Sequence, residues 1–444
     1  MSRPMHERRG LSAEAARELS ERILSLTRAD EARVSLSSGW RGNTRYAVNR
    51  ITTAGEVEQT QATISVRYGK RQASITTNRL DDEALGEAVA SAQAQARLAP
   101  ENPELMPELG PQEYAASHGY FDATAGLGPE ERGNVAATAI ETARREDGID
   151  VAGFLDVSAG SRAVANTRGL FGYHASTSAT YSLTARTRDG TGSGWAGTGA
   201  REWSGSDAEE AHARAVRKAI GSRNPQPLEP GAYVAVLEPQ AVSDLVSLLA
   251  FSLDARRADE GRSAFSAEGG TKLGERIVDE RVTLRSDPEG LGSSPFAGDG
   301  MPLSATTWVE DGVLKNLSYS RFWADKQGVR PTGFPGSLRM SGGEGSVEDL
   351  IRGTKRGVLV TRFWYIRQVD PRTILYTGLT RDGTFLIEDG EIRHPVNNFR
   401  WNDSPLFALG RLEAMSRPVR VSASREVPGL RVGEFEFSSV SEAV

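Results

Sequence analysis

The run from Val358 to Trp401, VLVTRFWYIRQVDPRTILYTGLTRDGTFLIEDGEIRHPVNNFRW, leaves few architectures open. Val358 to Val369 is dense in β-branched and aromatic residues, the composition of a strand laid on a sheet. Asp370-Pro371 ends it, because the proline ring fixes φ and offers no amide donor. Beyond Arg381-Asp382-Gly383 a hairpin is predicted. Phe385 and Ile387 alternate ahead of Asp389-Gly390, with Ile392 just past it, and Asp-Gly suits a turn whose central residues need positive φ. The same turn stands upstream in Val309-Glu310-Asp311-Gly312-Val313-Leu314. Two such hairpins in one region predict a large antiparallel sheet or an open barrel.

A chain of 444 residues is long enough for two or three domains with filled cores. Its charged fraction of 25% and hydrophobic fraction of 38% are those of an ordinary soluble protein. A net charge of -6 argues against general nucleic-acid affinity, since phosphate binding needs a basic surface. With no cysteine, a disulfide framework, a thiol nucleophile and thiolate metal sites are excluded. The first ten residues hold several charges and no apolar segment, so no secretory signal is expected. The most apolar run, Leu245 to Leu253, is far shorter than the roughly 20 residues of a membrane helix. A cytoplasmic protein with no membrane contact is expected.

Along the chain, residues 1–10 read as a flexible start. Residues 11–98 read as an N-terminal α+β domain. Ser12 opens a helix striped by Leu19, Ile23 and Leu26. Strands follow at Ala32–Leu36, Arg45–Thr53, Gln61–Tyr68 and Gln72–Thr77. Asn78 is placed to cap a second helix, with Asp81, Asp82 and Glu83 in its first turn and Leu85, Val89, Ala92 and Ala96 on its inner face. Residues 99–118, with Pro100, Pro103, Pro107 and Pro111, read as a connector. Residues 119–223 read as a central α+β domain: a helix from Pro129, strands over Asp150 to Leu183 with Gly169 and Gly172 at turns, and a helix opened by a capping box at Ser206-Asp207-Ala208-Glu209 that stops at Gly221. Residues 231–444 form a β-rich block. It contains a strand at Ala232–Leu237, a helix from Pro239 striped by Val242, Leu245, Val246, Leu249 and Leu253, and a closing strand near Phe435 and Phe437 before a frayed tail. The fold class is α+β, with sandwich-like N-terminal domains and a large antiparallel, barrel-like C-terminal domain.

Motifs that carry chemistry are sparse. His6, His118, His174, His212 and His394 are scattered among unrelated segments. Ser341-Gly342-Gly343-Glu344-Gly345 lacks the lysine of a phosphate-binding loop and reads as a plain loop. No nucleophile-elbow pattern supports a serine hydrolase. In Thr361-Arg362-Phe363-Trp364-Tyr365-Ile366-Arg367, alternate side chains of a barrel strand face core and solvent. If that strand lines a cavity, Arg362, Tyr365 and Arg367 could hold a peptide's carbonyls or carboxylates. Ser193, Gly194 and Trp195 read as a surface loop or mobile flap.

The Val358–Trp401 segment resembles the TldD/PmbA family, peptidase-related proteins also described as modulators of DNA gyrase. Thr44-Arg45-Tyr46-Ala47-Val48-Asn49-Arg50-Ile51 is similar to the family's first strand pair, Arg97-Leu98-Ala99-Pro100 to the end of its first helical region, and Ala165-Asn166-Thr167-Arg168-Gly169-Leu170 to its second domain. The four pieces occur in the family's order over most of residues 30–415. Active members carry H-E-x-x-x-H on a helix, where two imidazoles hold one zinc and the glutamate activates a bound water. Anchored on Gly261-Arg262-Ser263-Ala264-Phe265, that pattern places the first histidine on Val246, the glutamate on Ser247 and the second histidine on Phe251. Val246 and Phe251 are expected in the core, and no histidine lies between His212 and His394. The family's C-terminal cysteine is missing too. Asp254, Asp259 and Glu260 nearby suit a solvated helix end better than zinc.

The resemblance therefore implies a PmbA/TldE-like chain with no metal and no cofactor of its own: a pseudoenzyme pattern within a protease family. Its expected partner is a TldD-like zinc-bearing paralogue in a heterodimer, or a second copy in a homodimer, acting on small or unfolded polypeptides. Two other readings stay open: a non-catalytic peptide- or metabolite-binding homodimer, and a hydrolase with a different catalytic set.

Overall fold

A computed structural model describes residues 8–441. Of the expected flexible start, residues 1–7, His6 among them, lie outside the described residues, as do 442–444 of the expected tail. The first helix, α1 (Ala13–Ser25), begins where expected, with Ser12 Oγ accepting from the Ala15 N–H. Every second residue from Ala32 to Tyr46 is buried, the signature of a sheet covered on one face, and these residues form β1 (Glu31–Ala47). It is followed by β2 (Arg50–Tyr68), β3 (Arg71–Thr77) and α2 (Asp82–Leu98).

Three local expectations are corrected. Arg45–Thr53 is not one strand but the end of β1, a tight turn at Val48-Asn49 and the start of β2. Val48 and Asn49 there both have positive φ, 50° and 54°. Asn49 is held in this conformation by donating to the Ile149 carbonyl and accepting from the Val151 N–H. With no glycine at the turn, the usual Asn-Gly or Asp-Gly hairpin signal is missing. Asp81 rather than Asn78 caps α2, accepting from Ala84 N–H at 2.9 Å.

The chain continues through a short α3 (Asp122–Ala125), α4 (Pro129–Arg144), β4 (Ile149–Asn166), β5 (Phe171–Thr187), β6 (Ser193–Ala200) and α5 (Gly205–Gly221). Gly169 makes its turn with φ 85°, but Gly172 lies within β5. The third correction is at α5, which begins before the supposed capping box and has no side-chain cap. One six-stranded antiparallel sheet, in the order β3-β2-β1-β4-β5-β6, runs through all of these strands. The helices cover one face: α1 and α2 bury Ile23, Leu85 and Val89 against Val34 and Ile64, while α4 and α5 bury Ile140 and Val216 in a cluster with Trp40 and Val157. The other face stays largely free of helices.

The C-terminal part is built around a closed barrel. Its strands are β7 (Gly231–Leu237), β8 (Arg356–Asp370), β9 (Leu375–Glu388), β10 (Asn398–Asp403) and β11 (Leu430–Ser441). They pair in the order β8-β7-β11-β10-β9, and β9 pairs back onto β8. Only β7 and β8 run parallel. Closure removes the free edges that an open sheet would expose. Aromatic rings fill it, with Phe363 4.7 Å from Trp401 and 5.7 Å from Phe435. Asp389-Gly390 and Asp311-Gly312 form the two predicted turns, all four residues with positive φ. The helix from Pro239, α6 (Pro239–Ser252), buries Val242, Leu245, Val246 and Leu249 in the same core as those barrel rings. No helix among the described residues is long and apolar enough to cross a membrane.

Burial sets a pH dependence. His212 on α5 lies edge-on to Tyr181, 5.3 Å between rings, and neither ring nitrogen has a hydrogen-bond partner among the described residues. Burial pushes its pKa down to about 4; burial, helped by the Arg201 charge, does the same to His174. Unfolded histidine titrates near 6.5, so between there and about 4 only the unfolded chain gains these protons. Stability is therefore full above about pH 6.5 and falls as pH drops toward 4. Replacing His212 by Phe keeps the ring contact and removes one proton site. At pH 5 the His212→Phe variant should gain about 2 kcal/mol on wild type relative to the difference between them at pH 8, as read by denaturant unfolding at both pH values. An equal difference at the two pH values would refute this.

Candidate functional site

The residues of α6 do not fit a zinc ion. Val246 is fully buried in the barrel core. Ser247 Oγ donates to the Ser243 carbonyl at 2.7 Å and lies 3.3 Å from Arg425 Nε. Phe251 is not in the core, contrary to expectation: it is 62% exposed, its ring 5.2 Å from that of Phe334. With Val246 turned into the core and Phe251 to solvent, the two positions present no donors to a common ion. The neighbouring carboxylates are engaged elsewhere. Asp254 caps the next helical turn through Arg257 N–H at 2.7 Å, Asp259 accepts from Trp323 Nε1, and Glu260 pairs with Arg256 and Arg262. Among the described residues no three His, Cys, Asp or Glu side chains are grouped to hold a metal.

The polar chemistry is concentrated where the barrel meets β6. Opposite Thr361, strand β9 inserts Asp382 and Gly383, and the register shifts between Val360 and Arg362. Such a bulge needs an unusual backbone; Asp382 has φ 57° and Gly383 117°. It turns the Asp382 carboxylate inward, where it is wholly buried. Arg362 Nε donates to it at 2.8 Å, its second guanidinium nitrogen also reaches it, and Ser193 Oγ donates to the other oxygen at 2.5 Å. A buried charge is tolerable only when paired and hydrogen-bonded in this way. Beside it, Lys218 of α5 donates to Glu238 at the start of α6 at 2.5 Å. Burial lowers the Lys218 pKa against the pull of Glu238.

On α6, burial pushes the Asp244 carboxyl up to about 7, opposed by its hydrogen bond from Gln240 (3.3 Å), the Arg362 charge and the Phe363 N–H. A carboxyl that titrates near neutrality can take up or release a proton under ordinary conditions, and such groups concentrate at functional sites.

Arg362 also joins the two halves of the molecule through rings: its guanidinium lies 4.9 Å from the Trp195 centroid and 5.2 Å from that of Trp364. Ser193-Gly194-Trp195 is thus not a flap but the start of β6, with Ser193 buried. Trp195 borders a cleft of about 410 Å³ on the open face of the sheet, lined also by Arg45, Phe154 and Ser182. Of the three residues singled out on β8, only Arg362 belongs to this junction. A second bulge follows Trp364, where Tyr365 takes φ 53° and stands 60% exposed with Arg367 over its ring at 4.3 Å. Asp244, Asp382, Lys218, Phe154 and Arg45 were not singled out from sequence. Only Asp382-Gly383 carried a usable signal, an Asp-Gly pair inside a strand-like run.

Two family models match the chain: the PmbA/TldA metallopeptidase central domain over residues 124–223 and the C-terminal domain over residues 230–439. A metalloprotease of Methanothermobacter thermautotrophicus is 30% identical over 235 residues, 48% of this chain and 49% of that protein. Metalloprotease PmbA of Escherichia coli O157:H7 is 28% identical over 133 residues, 28% of each chain. These matches thus span about half, or less, of the curated relatives' length. TldE from Thermococcus kodakarensis shares the fold at 21% identity, with a TM-score of 0.83 over 96% of this chain and 99% of that one. The matched domains, covering the barrel, α6 and three of the six strands of the large sheet, make this chain a member of the PmbA/TldD metallopeptidase family.

Proposed function

We propose that this chain is the metal-free, PmbA/TldE-like subunit of a peptidase complex, paired with a zinc-bearing paralogue and serving proteolysis of small or unfolded polypeptides. The observation that carries the reading is α6 itself. Where an active member places its metal-binding pair, this chain has Val246 packed in the barrel core and Phe251 turned to solvent. The helix has become a structural element. What the chain offers a complex is a wall: an open sheet face with a cleft, joined to the barrel through Arg362 and Trp195. Peptide recognition belongs to this subunit, and bond cleavage to its partner.

Two measurements test this. Metal analysis of the isolated protein should find zinc well below one ion per chain, whereas the complex recovered by affinity purification from the native cell should contain zinc and cleave peptides in a chelator-sensitive way. One tightly held zinc per isolated chain, or a monomer with no partner recovered, would contradict the proposal. Grafting the missing motif should also fail. In the combined variant Val246→His, Ser247→Glu, Phe251→His, the first change places an unpartnered polar ring in the core at a cost of about 1–3 kcal/mol, while the exposed third position costs little. A third ligand and an orienting shell would still be missing. The expected outcome is a destabilised protein without peptidase activity; chelator-sensitive cleavage well above wild type would overturn it.

A further inference from the structure

Cross-strand register on the open face of the sheet sets Arg45 of β1, Phe154 of β4, Ser182 of β5 and Gly197 of β6 side by side in one row. Trp195, two residues along β6 on the same face, lays its indole back over Gly197: a Cβ added at Gly197 would come within 2.7 Å of the ring. The row therefore reads cation, ring, small hydroxyl, ring. Strands lie about 4.8 Å apart, so Phe154 and the Trp195 indole flank a gap of roughly 9–10 Å floored by Ser182 alone. A flat group in contact with a ring on each side needs about 7 Å, twice the usual carbon–carbon contact distance. Phe154 is 36% exposed, unusual for a phenylalanine at the centre of a sheet.

Arg45 completes the pattern. Its side chain is exposed and makes no ion pair or hydrogen bond among the described residues, and the acidic neighbour in the adjoining row, Asp156, is taken by Arg41 at 2.5 Å. The cleft's volume of about 410 Å³ is that of a small-ligand pocket.

The geometry points to a slot for the C-terminal residue of a peptide with an aromatic side chain, its ring over Ser182 between Phe154 and Trp195 and its terminal carboxylate on Arg45. That the ligand is a peptide rests on the function proposed above. The slot adds the side-chain class and the end of the chain it takes.

Calorimetric titration of the isolated protein tests this with four peptides: Ac-Ala-Phe as the free acid, the same peptide amidated, Ac-Ala-Ala as the free acid, and amidated Ac-Glu-Phe. The Phe acid should bind about tenfold or more tighter than each of the others, in keeping with a charge-assisted contact added to ring stacking. Arg45→Gln should abolish the preference for acid over amide. Ser182→Leu, which fills the gap, should abolish the preference for Phe over Ala. Equal affinity for all four peptides, or preferences unchanged in both variants, would overturn the proposal. Amidated Ac-Glu-Phe binding as tightly as the Phe acid would overturn the assignment to the chain terminus. The two variants act at different strands, so a folding failure in one leaves the other informative. Because the titration needs neither partner, zinc nor cleavage, it can fail while the subunit proposal stands, or succeed where that proposal fails.

Discussion

Asp382 is wholly buried at a bulge in a barrel strand, held from one side by Arg362 and from the other by Ser193 of the six-stranded sheet. An isolated carboxylate in such a place would be protonated or would pull water in. Here the barrel supplies Arg362 and the sheet supplies the Ser193 hydroxyl, so the carboxylate has its full set of donors only when barrel and sheet are docked. Arg362 then carries the constraint further, since the same guanidinium sits against Trp195 and Trp364. The position of the Trp195 ring, and with it one wall of the cleft, depends on this ion pair.

The barrel also accounts for what α6 can no longer do. Its apolar stripe, continued by Leu253, is buried with the rings of Phe363, Trp401 and Phe435. Val246 belongs to that stripe, so a histidine there would have to displace packing at close-packed density. The carboxyl that α6 does bring toward the barrel is Asp244, poised near neutrality by burial and facing Arg362. The helix thus lies beside the polar junction, and its residues at 246, 247 and 251 do not fit a metal ion.

Much of this was legible in the sequence. Strong alternation, a proline break and Asp-Gly turns announced the hairpins, because these residues constrain φ directly; Asp389-Gly390 follows barrel strand β9, whereas Asp311-Gly312 belongs to a separate sheet. The 3.6-residue stripe Val242, Leu245, Val246, Leu249 and Leu253 named buried residues correctly; Phe251, expected in the core with Val246, lies off that stripe and is exposed. The turn at Val48-Asn49 was hidden because tertiary hydrogen bonds from Asn49, not a glycine, hold its backbone. The site was least legible of all. Arg45, Phe154, Ser182 and Trp195 are ordinary residues until strand register sets the first three in one row and brings the Trp195 indole over its end, and register between distant strands leaves no local trace. Arg362 was found because it sits in a conspicuous strand; its partner Asp382, 20 residues on, was read only as part of a turn signal.

A double-mutant cycle at Asp382 and Arg362 tests the junction most directly, read as unfolding free energy. Removing one partner of a buried pair strands the other's charge, at a typical cost of about 3–5 kcal/mol, whereas replacing both leaves no charge to strand. Asp382→Ala should thus destabilise the protein more than Asp382→Ala combined with Arg362→Met. Strictly additive losses, or a negligible effect of Asp382→Ala alone, would show that the barrel's side of the junction does not depend on this pair.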